Sequence, residues 1–401
     1  PNYHSAAIKD ATFNKETGEL KFSWESPRGV STYTFRIDGD HLNGSTPLPS
    51  GGEITVSGKR SAGKEEDAAP AGPTIEERVF MAGPAGFISS SSDERVRTSS
   101  IQGWRRLEYD NLPQDVEVQV RSSDYDFINS RLADGAAVEV EFDIPVTFTK
   151  GPIPVYNTIA EIKGTTWPDE VVIISGHMDS WNGPGSQGCT DNGTGSSVTL
   201  EAARILAACK VQPKRTIRFV LWTGEEQGLL GSAGYVQSLT KEELAKISAV
   251  FVDDGGTNYQ GGVNAIEEMI PYLAAATAPV NGVFYSETDK QFLDVNIKRQ
   301  KRFAQEAASD NASFNMAGVP GFFWDEVGRA DYYFGWHTQN DKLSLAIPEY
   351  LAQSSTNSAV VAYQLACAPA LLPRPVNADG DGAAPRREPR PAAESAPAKS
   401  N

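Results

Sequence analysis

VVIISGHMD, residues 171–179, is the stretch that decides the fold we expect for this chain of 401 residues. Its first four residues are all branched and apolar, which predicts a strand that is buried on both faces. His177 and Asp179 follow at the carboxyl end of that strand. Sites in open sheets of parallel strands form at the carboxyl ends of the strands. The stretch therefore also indicates a candidate functional site.

Residues 151–372 repeat this alternation of strands and helices. Strands are expected near 155–163, 171–176, 216–222, 248–253 and 319–324, and helices near 194–209, 229–239 and 347–367. Such an order is typical of an α/β fold in which helices flank a mostly parallel central sheet. The polar residues that follow several of these strands are then expected at one edge of the sheet.

The beginning of the chain has a different pattern. Residues 1–58 alternate polar and apolar side chains between turn residues, which predicts a small antiparallel β-module. Residues 59–73 are first charged and then rich in Ala, Pro and Gly, without a periodic apolar face, and this composition is typical of a linker.

Two further segments flank the alternating region. Residues 74–150 predict a small insert, with short strands near 116–120 and 138–142 around a helix over 124–132. Residues 373–401 are rich in Pro, Ala, Arg and Glu and contain almost no large apolar residue, so we expect a disordered tail.

Composition excludes some classes of function. The net charge of −16 opposes binding to nucleic acid or to an anionic membrane. No apolar run approaches the roughly 20 residues that a membrane-spanning helix needs. The three cysteines are too few for a disulfide framework. Because the chain opens with Pro1 and not with Met, we expect a processed product.

Five side chains with metal-binding groups follow expected strands or turns: His177, Asp191, Glu226, Asp254 and His337. Zinc prefers imidazole and carboxylate ligands. Two ions that share one carboxylate can be held by two imidazoles and three carboxylates, with space left for a bridging hydroxide. Two of the four histidines in the chain belong to this set, which makes a chance assembly harder to accept.

The pair Glu225-Glu226 offers two roles in adjacent positions. Two metals can lower the pKa of a shared water and polarise a scissile carbonyl, but the reaction also needs a base that is not a ligand. One glutamate can bind metal while the other takes the proton from the water. Asp179, two residues beyond His177, is placed to orient the imidazole.

Each of these patterns also has a structural explanation. His-x-Asp can simply end a strand, and the Asp-Asn-Gly at residues 191–193 is a good turn or helix cap. Glu225-Glu226 can begin a helix, where acidic residues are favoured, and residues 253–256 can form a turn. The coincidence of four such clusters at consecutive strand ends favours the metal site. A serine hydrolase is excluded because no Gly-x-Ser-x-Gly elbow is found.

Several motifs resemble those of the co-catalytic zinc exopeptidases: residues 171–180, 190–195, 219–228 and 336–338. Residues 213–228 and 317–321 are most similar to the carboxypeptidase Q branch of that family. The resemblance covers about residues 155–368, while residues 74–150 look like the later part of a protease-associated insert. It implies the zinc exopeptidase fold, hydrolysis of peptide bonds and two Zn²⁺ per chain.

The resemblance also implies a role for each metal-binding candidate. His177 would bind one zinc ion together with Asp254, and Glu226 would bind the other together with His337. Asp191 would bridge the two ions.

The remaining roles are implied in the same way. Glu225 would be the general base that deprotonates a water to give the metal-bridging hydroxide, and later the acid that protonates the leaving amine. Asp179 would orient His177. Asp253 is the alternative to Asp254, which we prefer because the glycines that follow it match the family.

The sequence departs from the family in two places. Trp336 stands where many members have Tyr or His before the last histidine ligand, so Tyr332 or Tyr333 becomes a candidate for stabilising the oxyanion. The β-module and linker stand where members usually have N-terminal helices and early strands.

The leading hypothesis is an exopeptidase, either an aminopeptidase or a dipeptidase or carboxypeptidase, that acts on peptides or dipeptides. Two alternatives stay open: a metal-binding module without strong catalysis, and a hydrolase of a non-peptide amide such as an acyl amino acid. Arg329 is a candidate for binding a substrate carboxylate, with a surface ion pair as the alternative. The resemblance implies a secreted or periplasmic protein and leaves a homodimer open.

Overall fold

The computed structural model describes most of the chain. The described residues are 8–15, 17–26, 29–38, 41–47, 53–59, 78–79, 81–99, 107–112, 116–181, 183, 185–301 and 309–374. Residues 60–73 of the expected linker and residues 375–401 of the expected tail lie outside them. The chain divides into two compact units, Pro1–Pro84 and Ala85–Asn401.

The first unit contains a five-stranded sheet. Its strands follow chain order: β1 (Ile8–Asn14), β2 (Glu19–Ser26), β3 (Gly29–Asp38), β4 (His41–Pro47) and β5 (Glu53–Lys59). All neighbouring pairs are antiparallel. The sheet is therefore a meander, in which each strand pairs with the next one along the chain.

A seven-stranded mixed sheet forms the centre of the second unit. Its spatial order is β15 (Asn296–Arg299), β12 (Tyr259–Ala265), β16 (Gly321–Val327), β11 (Ile247–Val252), β9 (Trp167–His177), β10 (Arg215–Trp222) and β8 (Thr158–Ile162). Strand β8 is antiparallel to β10, and β12 is antiparallel to β16, whereas the other four pairings are parallel. The expected α/β fold with a mostly parallel central sheet is confirmed.

Helices cover both faces of this sheet. They are α2 (Thr194–Ala208), α3 (Leu230–Ser238), α4 (Lys241–Lys246), α5 (Ile270–Thr277), α6 (Asn311–Met316), α7 (Tyr332–Gly335) and α8 (Pro348–Cys367). Val172 and Ile174 of β9 pack into the core with residues of α2, α5 and α8. Val171 and Ile173 pack into a second core with Phe314 of α6. Strand β9 is thus apolar at consecutive positions because both of its faces are buried.

The segment before this sheet is only partly regular. Strands β6 (Phe87–Ser90) and β7 (Glu117–Val120) form a parallel pair, and α1 (Ser122–Ala133) contains the helix expected over 124–132. The strand expected near 138–142 is not formed, so that prediction was wrong. Val138, Val140 and Phe142 are exposed, and no described strand pairs with them. An alternating pattern forms a strand only where a neighbour accepts its backbone hydrogen bonds.

The sequence reasoning also passed over several elements. Strands β12 and β15 extend the main sheet, β13 (Tyr285–Ser286) and β14 (Gln291–Phe292) form a small antiparallel pair, and α4 and α5 lie between larger elements. Most are short, and their sequences carry little periodicity. Within the described residues, none of the helices combines the length and apolar character that crossing a bilayer requires.

Replacing Phe251 by Ala is expected to lower the free energy of unfolding of the second unit by about 3–5 kcal/mol, through lost burial and a new cavity. Phe251 is 1% exposed. Its ring stacks on Phe322 at 4.9 Å and on Trp324 at 5.1 Å. Denaturant-induced unfolding measures the change. Phe127, which is 64% exposed on α1, gives the matched control, because Phe127→Ala should change the unfolding free energy by less than about 1 kcal/mol. Equal effects of the two substitutions would contradict the assignment of the core.

Candidate metal centre

Three neighbouring strands place candidate ligands at one edge of the sheet. His177 is the last residue of β9, Glu226 follows the end of β10 by four residues, and Asp254 follows the end of β11 by two. Strand β9 is parallel to both of its neighbours. The carboxyl ends of these strands therefore meet, and so do the side chains that follow them.

The other two ligand candidates come from connections. Asp191 lies in a kinked segment, Cys189–Gly193, that leads into α2, and its own backbone is not helical. His337 follows α7 by two residues. The structure thus brings together all five residues that the sequence singled out, although 160 positions separate the first from the last.

The donor atoms form two groups that share Asp191. His177 Nε2 lies 2.9 Å from Asp254 Oδ1 and 3.3 Å from Asp191 Oδ1. His337 Nε2 lies 3.0 Å from Glu226 Oε2 and 3.1 Å from Asp191 Oδ2. One carboxylate oxygen of Asp191 therefore faces each imidazole, which is the arrangement expected of a carboxylate that bridges two ions.

This donor set fits a pair of divalent cations. Imidazole nitrogens and carboxylate oxygens are zinc ligands, and the ligand atoms of each group lie within 4.8 Å of one another. His177 is 0% exposed, Asp191 4% and Asp254 8%. Glu226 Oε1 is buried and has no hydrogen-bond partner within the described residues. Buried carboxylates are costly unless cations or donors compensate them.

Electrostatics supports the same reading. Burial, with the charge of Asp254 adding to it, raises the pKa of Glu225 to about 9, and burial raises the pKa of Glu226 to about 7. Burial alone would lower the pKa of His177, yet the charge of Asp254 and a hydrogen bond with Asp191 hold that pKa well above its ordinary value. The protein by itself thus holds protons at this cluster, and divalent cations would supply the missing positive charge.

Asp179 supports the site in two ways. The carbonyl oxygen of its backbone lies 2.8 Å from His177 Nδ1, whereas its carboxylate oxygen Oδ1 is 3.8 Å from that nitrogen. The carboxylate instead accepts hydrogen bonds from the backbone N–H groups of Glu225 at 3.1 Å and Glu226 at 3.2 Å. The backbone of Asp179 orients the histidine, and its side chain fixes the two glutamates.

A tight loop presents Glu225 and Glu226. Gly224 has a positive φ of 65°, and its carbonyl accepts a hydrogen bond from the N–H of Leu230 at 2.9 Å. A side chain at Gly224 would also meet Leu230. Glu225 lines the cavity without joining either group of donors. Its carboxylate is thus free for proton transfer while its neighbour faces a histidine.

Asp253 and Asp254 point to different partners. Asp254 faces His177, whereas Asp253 Oδ2 accepts a hydrogen bond of 2.6 Å from the Gln260 side chain. Burial raises the pKa of Asp253 to about 7. The geometry therefore places Asp254 in the donor cluster and Asp253 in the polar interior behind it.

Sequence reasoning missed two aspartates near the site. Asp341 accepts hydrogen bonds from the backbone N–H groups of Thr190 at 2.6 Å and Asp191 at 3.1 Å, and so holds the bridging residue. Its signal was its position four residues beyond His337. Asp310 is 0% exposed just before α6, and burial raises the pKa of its carboxyl to about 7. Nothing in its local sequence indicated a place beside the site.

Trp336 stands where many family members have Tyr or His, and the aromatic residues around His337 include the two tyrosines that are candidates to stabilise the oxyanion instead. The Trp336 ring stacks on the His337 ring at 4.0 Å. Tyr332 lies against Gly256, where any side chain would collide with its ring. Burial and the charge of Asp191 raise the pKa of Tyr332 well above its ordinary value, so its phenol stays a neutral donor. Tyr332 and Tyr333 both line the cavity.

The cavity next to the donor cluster has a volume of about 890 Å³. Its walls carry Asp191, Glu225, Glu226, Asp254 and His337, together with Trp181 and Ser99. Such a volume accommodates a small peptide. Arg329 lies elsewhere and is already paired, at 2.7 Å with Glu349 and at 3.1 Å with Asp289.

The part of the chain that matches a known family is close to the part that forms the central sheet and its helices. The model of peptidase family M28 matches residues 157–362. Carboxypeptidase Q of Xenopus laevis is 29% identical over 273 residues, which cover 68% of this chain and 54% of that protein. Carboxypeptidase Q of Mus musculus is 33% identical over 220 residues, which cover 55% of this chain and 43% of that protein. The chain spans about half the length of these relatives.

A solved structure supports the fold independently. The crystal structure of a peptidase M28 precursor from Shewanella amazonensis SB2B has a TM-score of 0.54 and 26% sequence identity, and the match covers 74% of this chain and 63% of that one. The residues that the family model matches make up half of the chain and include all five ligand candidates and Glu225. This chain therefore belongs to peptidase family M28.

Proposed function

We propose that this protein is a two-zinc exopeptidase that hydrolyses peptide bonds with Glu225 as general base. The observation that carries this proposal is the carboxylate of Asp191, which faces both His177 and His337 in a buried cluster beside a cavity. His177 and Asp254 would hold one ion, Glu226 and His337 the other, with Asp191 shared.

When bound, the zinc ions supply Lewis acidity that polarises the scissile carbonyl and lowers the pKa of water. Glu225 takes the proton of the attacking water, and the same carboxyl then gives a proton to the departing amine. In the absence of cations burial keeps the pKa of Glu225 near 9. With both ions bound, the pKa of Glu225 would fall towards the range of a useful base, because nearby positive charge favours its ionised form. Tyr332, as a neutral phenol in the cavity wall, is the candidate donor to the oxyanion.

We further propose that the substrate presents a free amino terminus. Lys298, the one lysine or arginine among the described lining residues, is paired with Asp325 at 2.8 Å. A substrate carboxylate would need an unpaired cation, and Arg329 is engaged by Asp289 and Glu349. The charge balance thus favours aminopeptidase or dipeptidase action. Secretion and a homodimer stay predictions.

Glu225→Gln is expected to lower kcat for an aminoacyl-nitroanilide or a dipeptide by about 10²–10⁴-fold, because Gln cannot accept the proton. Metal content should remain at the wild-type value, since Glu225 belongs to neither donor group. Glu242→Gln on the exposed surface of α4 is the matched control and should retain full activity. Retained peptidase activity in Glu225→Gln would refute its role as base. No turnover by the metal-loaded wild type on any peptide or acyl amino acid would favour the binding-module alternative.

Chelation of metal is expected to lower the midpoint of thermal unfolding by roughly 10–20 °C, because each of the two ions, at about 100 times its dissociation constant, stabilises the folded state by about 2.7 kcal/mol. Zinc should restore the midpoint and magnesium should not, because magnesium prefers octahedral oxygen ligands. Scanning calorimetry with and without each ion provides the measurement. An unchanged midpoint after complete metal removal would contradict the proposed centre.

Acetylation of the amino terminus of a dipeptide is expected to lower kcat/KM by about 10–100-fold, the value of a lost charge-assisted contact. Amidation of its carboxyl terminus should change kcat/KM by less than about threefold. Arg329→Gln should leave both ratios unchanged, because its guanidinium already binds Asp289 and Glu349. The opposite order of sensitivity would show that the site recognises a substrate carboxylate.

A further inference from the structure

A segment that precedes all five ligand candidates in the sequence contacts the loop that carries His337. Residues 94–99, here called the strap, lie between β6 and β7 in the chain and run beside residues 333–339. Arg97 and Thr338 form an isolated antiparallel bridge. Ser99, at the end of the strap, lines the cavity. The strap is thus part of the wall of the site.

Gln339 joins the strap through both its backbone and its side chain. Its side-chain oxygen accepts a hydrogen bond from the N–H of Val96 at 2.7 Å, and its side-chain nitrogen donates to the carbonyl of Glu94 at 3.0 Å. Its backbone N–H donates to the carbonyl of Val96 at 3.1 Å. The side-chain amide therefore acts like an additional strand residue, which satisfies two backbone groups of the strap.

Further hydrogen bonds from the strap hold backbone carbonyl groups of His337 and of residues just before it. The N–H of Thr98 donates to the carbonyl of His337 itself at 2.9 Å. The guanidinium of Arg97 donates to the carbonyl of Trp336 at 3.2 Å, and that of Arg95 to the carbonyl of Tyr333 at 3.1 Å. The strap therefore holds the backbone carbonyls of the two peptide groups that flank the Cα of His337.

The backbone of His337 needs such support. Its φ is 54°, in the left-handed region that residues with a side chain rarely adopt. Such a conformation is strained and persists only where the surroundings hold it. In this conformation the imidazole reaches Asp191 and Glu226. If the loop relaxed, Nε2 would leave both carboxylates.

The strap is itself anchored to later residues of the same insert-like segment. The Glu94 carboxylate accepts hydrogen bonds from the hydroxyl of Ser122 at 2.8 Å and of Ser123 at 2.7 Å, at the start of α1. The N–H of Arg97 donates to the side chain of Gln119 in β7 at 3.2 Å. A continuous set of hydrogen bonds thus connects β7 and α1 with the loop of His337.

The remaining ligands have other supports. Asp341 holds Asp191, and Asp179 holds the backbone of Glu226. Asp254 follows directly from β11. Among the hydrogen bonds of the described residues, those of the strap reach the His337 loop and none of the other four ligand residues.

We propose that the strap and Gln339 are positioning elements that hold His337 for one of the two metal ions, which makes the insert-like segment a working part of the metal centre. This inference rests on the proposed function, because it assumes that a pair of ions binds. Removing the Gln339 amide should weaken the ion at Glu226 and His337 and spare the ion at His177 and Asp254.

The test is a zinc titration of the metal-free full chain in the presence of a competing chelator. The wild type should bind two ions. Gln339→Ala should weaken one of them by about 10–100-fold, the usual effect of losing a group that orients a ligand, and should leave the other within about twofold. Gln339→Glu keeps an acceptor for Val96 but sets a carboxylate oxygen against the carbonyl of Glu94, so it should weaken the same ion.

Gln187→Ala is the matched control. Gln187 also accepts a hydrogen bond from a backbone N–H of this region, that of Leu343 at 2.8 Å, but it does not contact the strap. Both of its zinc affinities should equal those of the wild type. Unfolding midpoints of the metal-free variants show whether each variant is folded. If Gln339→Ala does not fold, the zinc affinities of Gln339→Glu are compared with those of the wild type instead.

The outcomes separate the two proposals. A wild type that binds fewer than two ions overturns the proposed function and this inference together. A wild type with two ions and a folded Gln339→Ala with unchanged affinities overturns the strap alone. Equal weakening of both ions in Gln339→Ala, or the same weakening in Gln187→Ala, also overturns it, because the effect would then not be specific to His337.

Discussion

The buried carboxylate of Asp191 between two imidazoles is the interaction on which the site depends. One oxygen faces His177 and the other faces His337, so two donor groups from distant parts of the chain share a single residue. Burial alone would raise the pKa of Asp191, but hydrogen bonds with both histidines hold that pKa below its ordinary value. An ionised carboxylate in this position is possible only with positive partners on both sides.

The shared position of Asp191 requires the loops that carry the ligands to be fixed, and several carboxylates around the site accept hydrogen bonds from the backbone of those loops. Asp341 binds the N–H groups at Asp191, the Asp179 carboxylate binds those of Glu225 and Glu226, and the Glu326 side chain accepts a bond from Gly255 at 2.8 Å. Each bond fixes a loop at the carboxyl end of the sheet. Most of the ligands project from irregular segments, and these carboxylates give the segments the rigidity that strands would otherwise supply.

The insert-like segment also gains a physical role from this arrangement. Its exposed run near 138–142 lacks a strand partner among the described residues, yet its earlier residues contact the loop of His337 through several hydrogen bonds. A part of the chain that lies outside the matched family region thus reaches the metal centre. Because the backbone of His337 is in the left-handed region, we infer that those hydrogen bonds also hold it in that conformation.

The sequence by itself indicated five of the seven strands of the central sheet and the identity of the proposed donors. Strands β8 to β11 and β16, and helices α2, α3 and α8, were predictable because their apolar periodicity reports burial directly. His177, Glu226 and Asp254 were predictable because parallel strands bring their carboxyl ends together. The resemblance already favoured Asp254 over Asp253, and Asp254 does face the histidine. Tertiary structure alone decided that Arg329 is already paired, and that Asp341, Asp310 and Gln339 lie at the site. These facts depend on contacts between segments distant in the chain, and local sequence carries no record of which distant partner a polar side chain will meet.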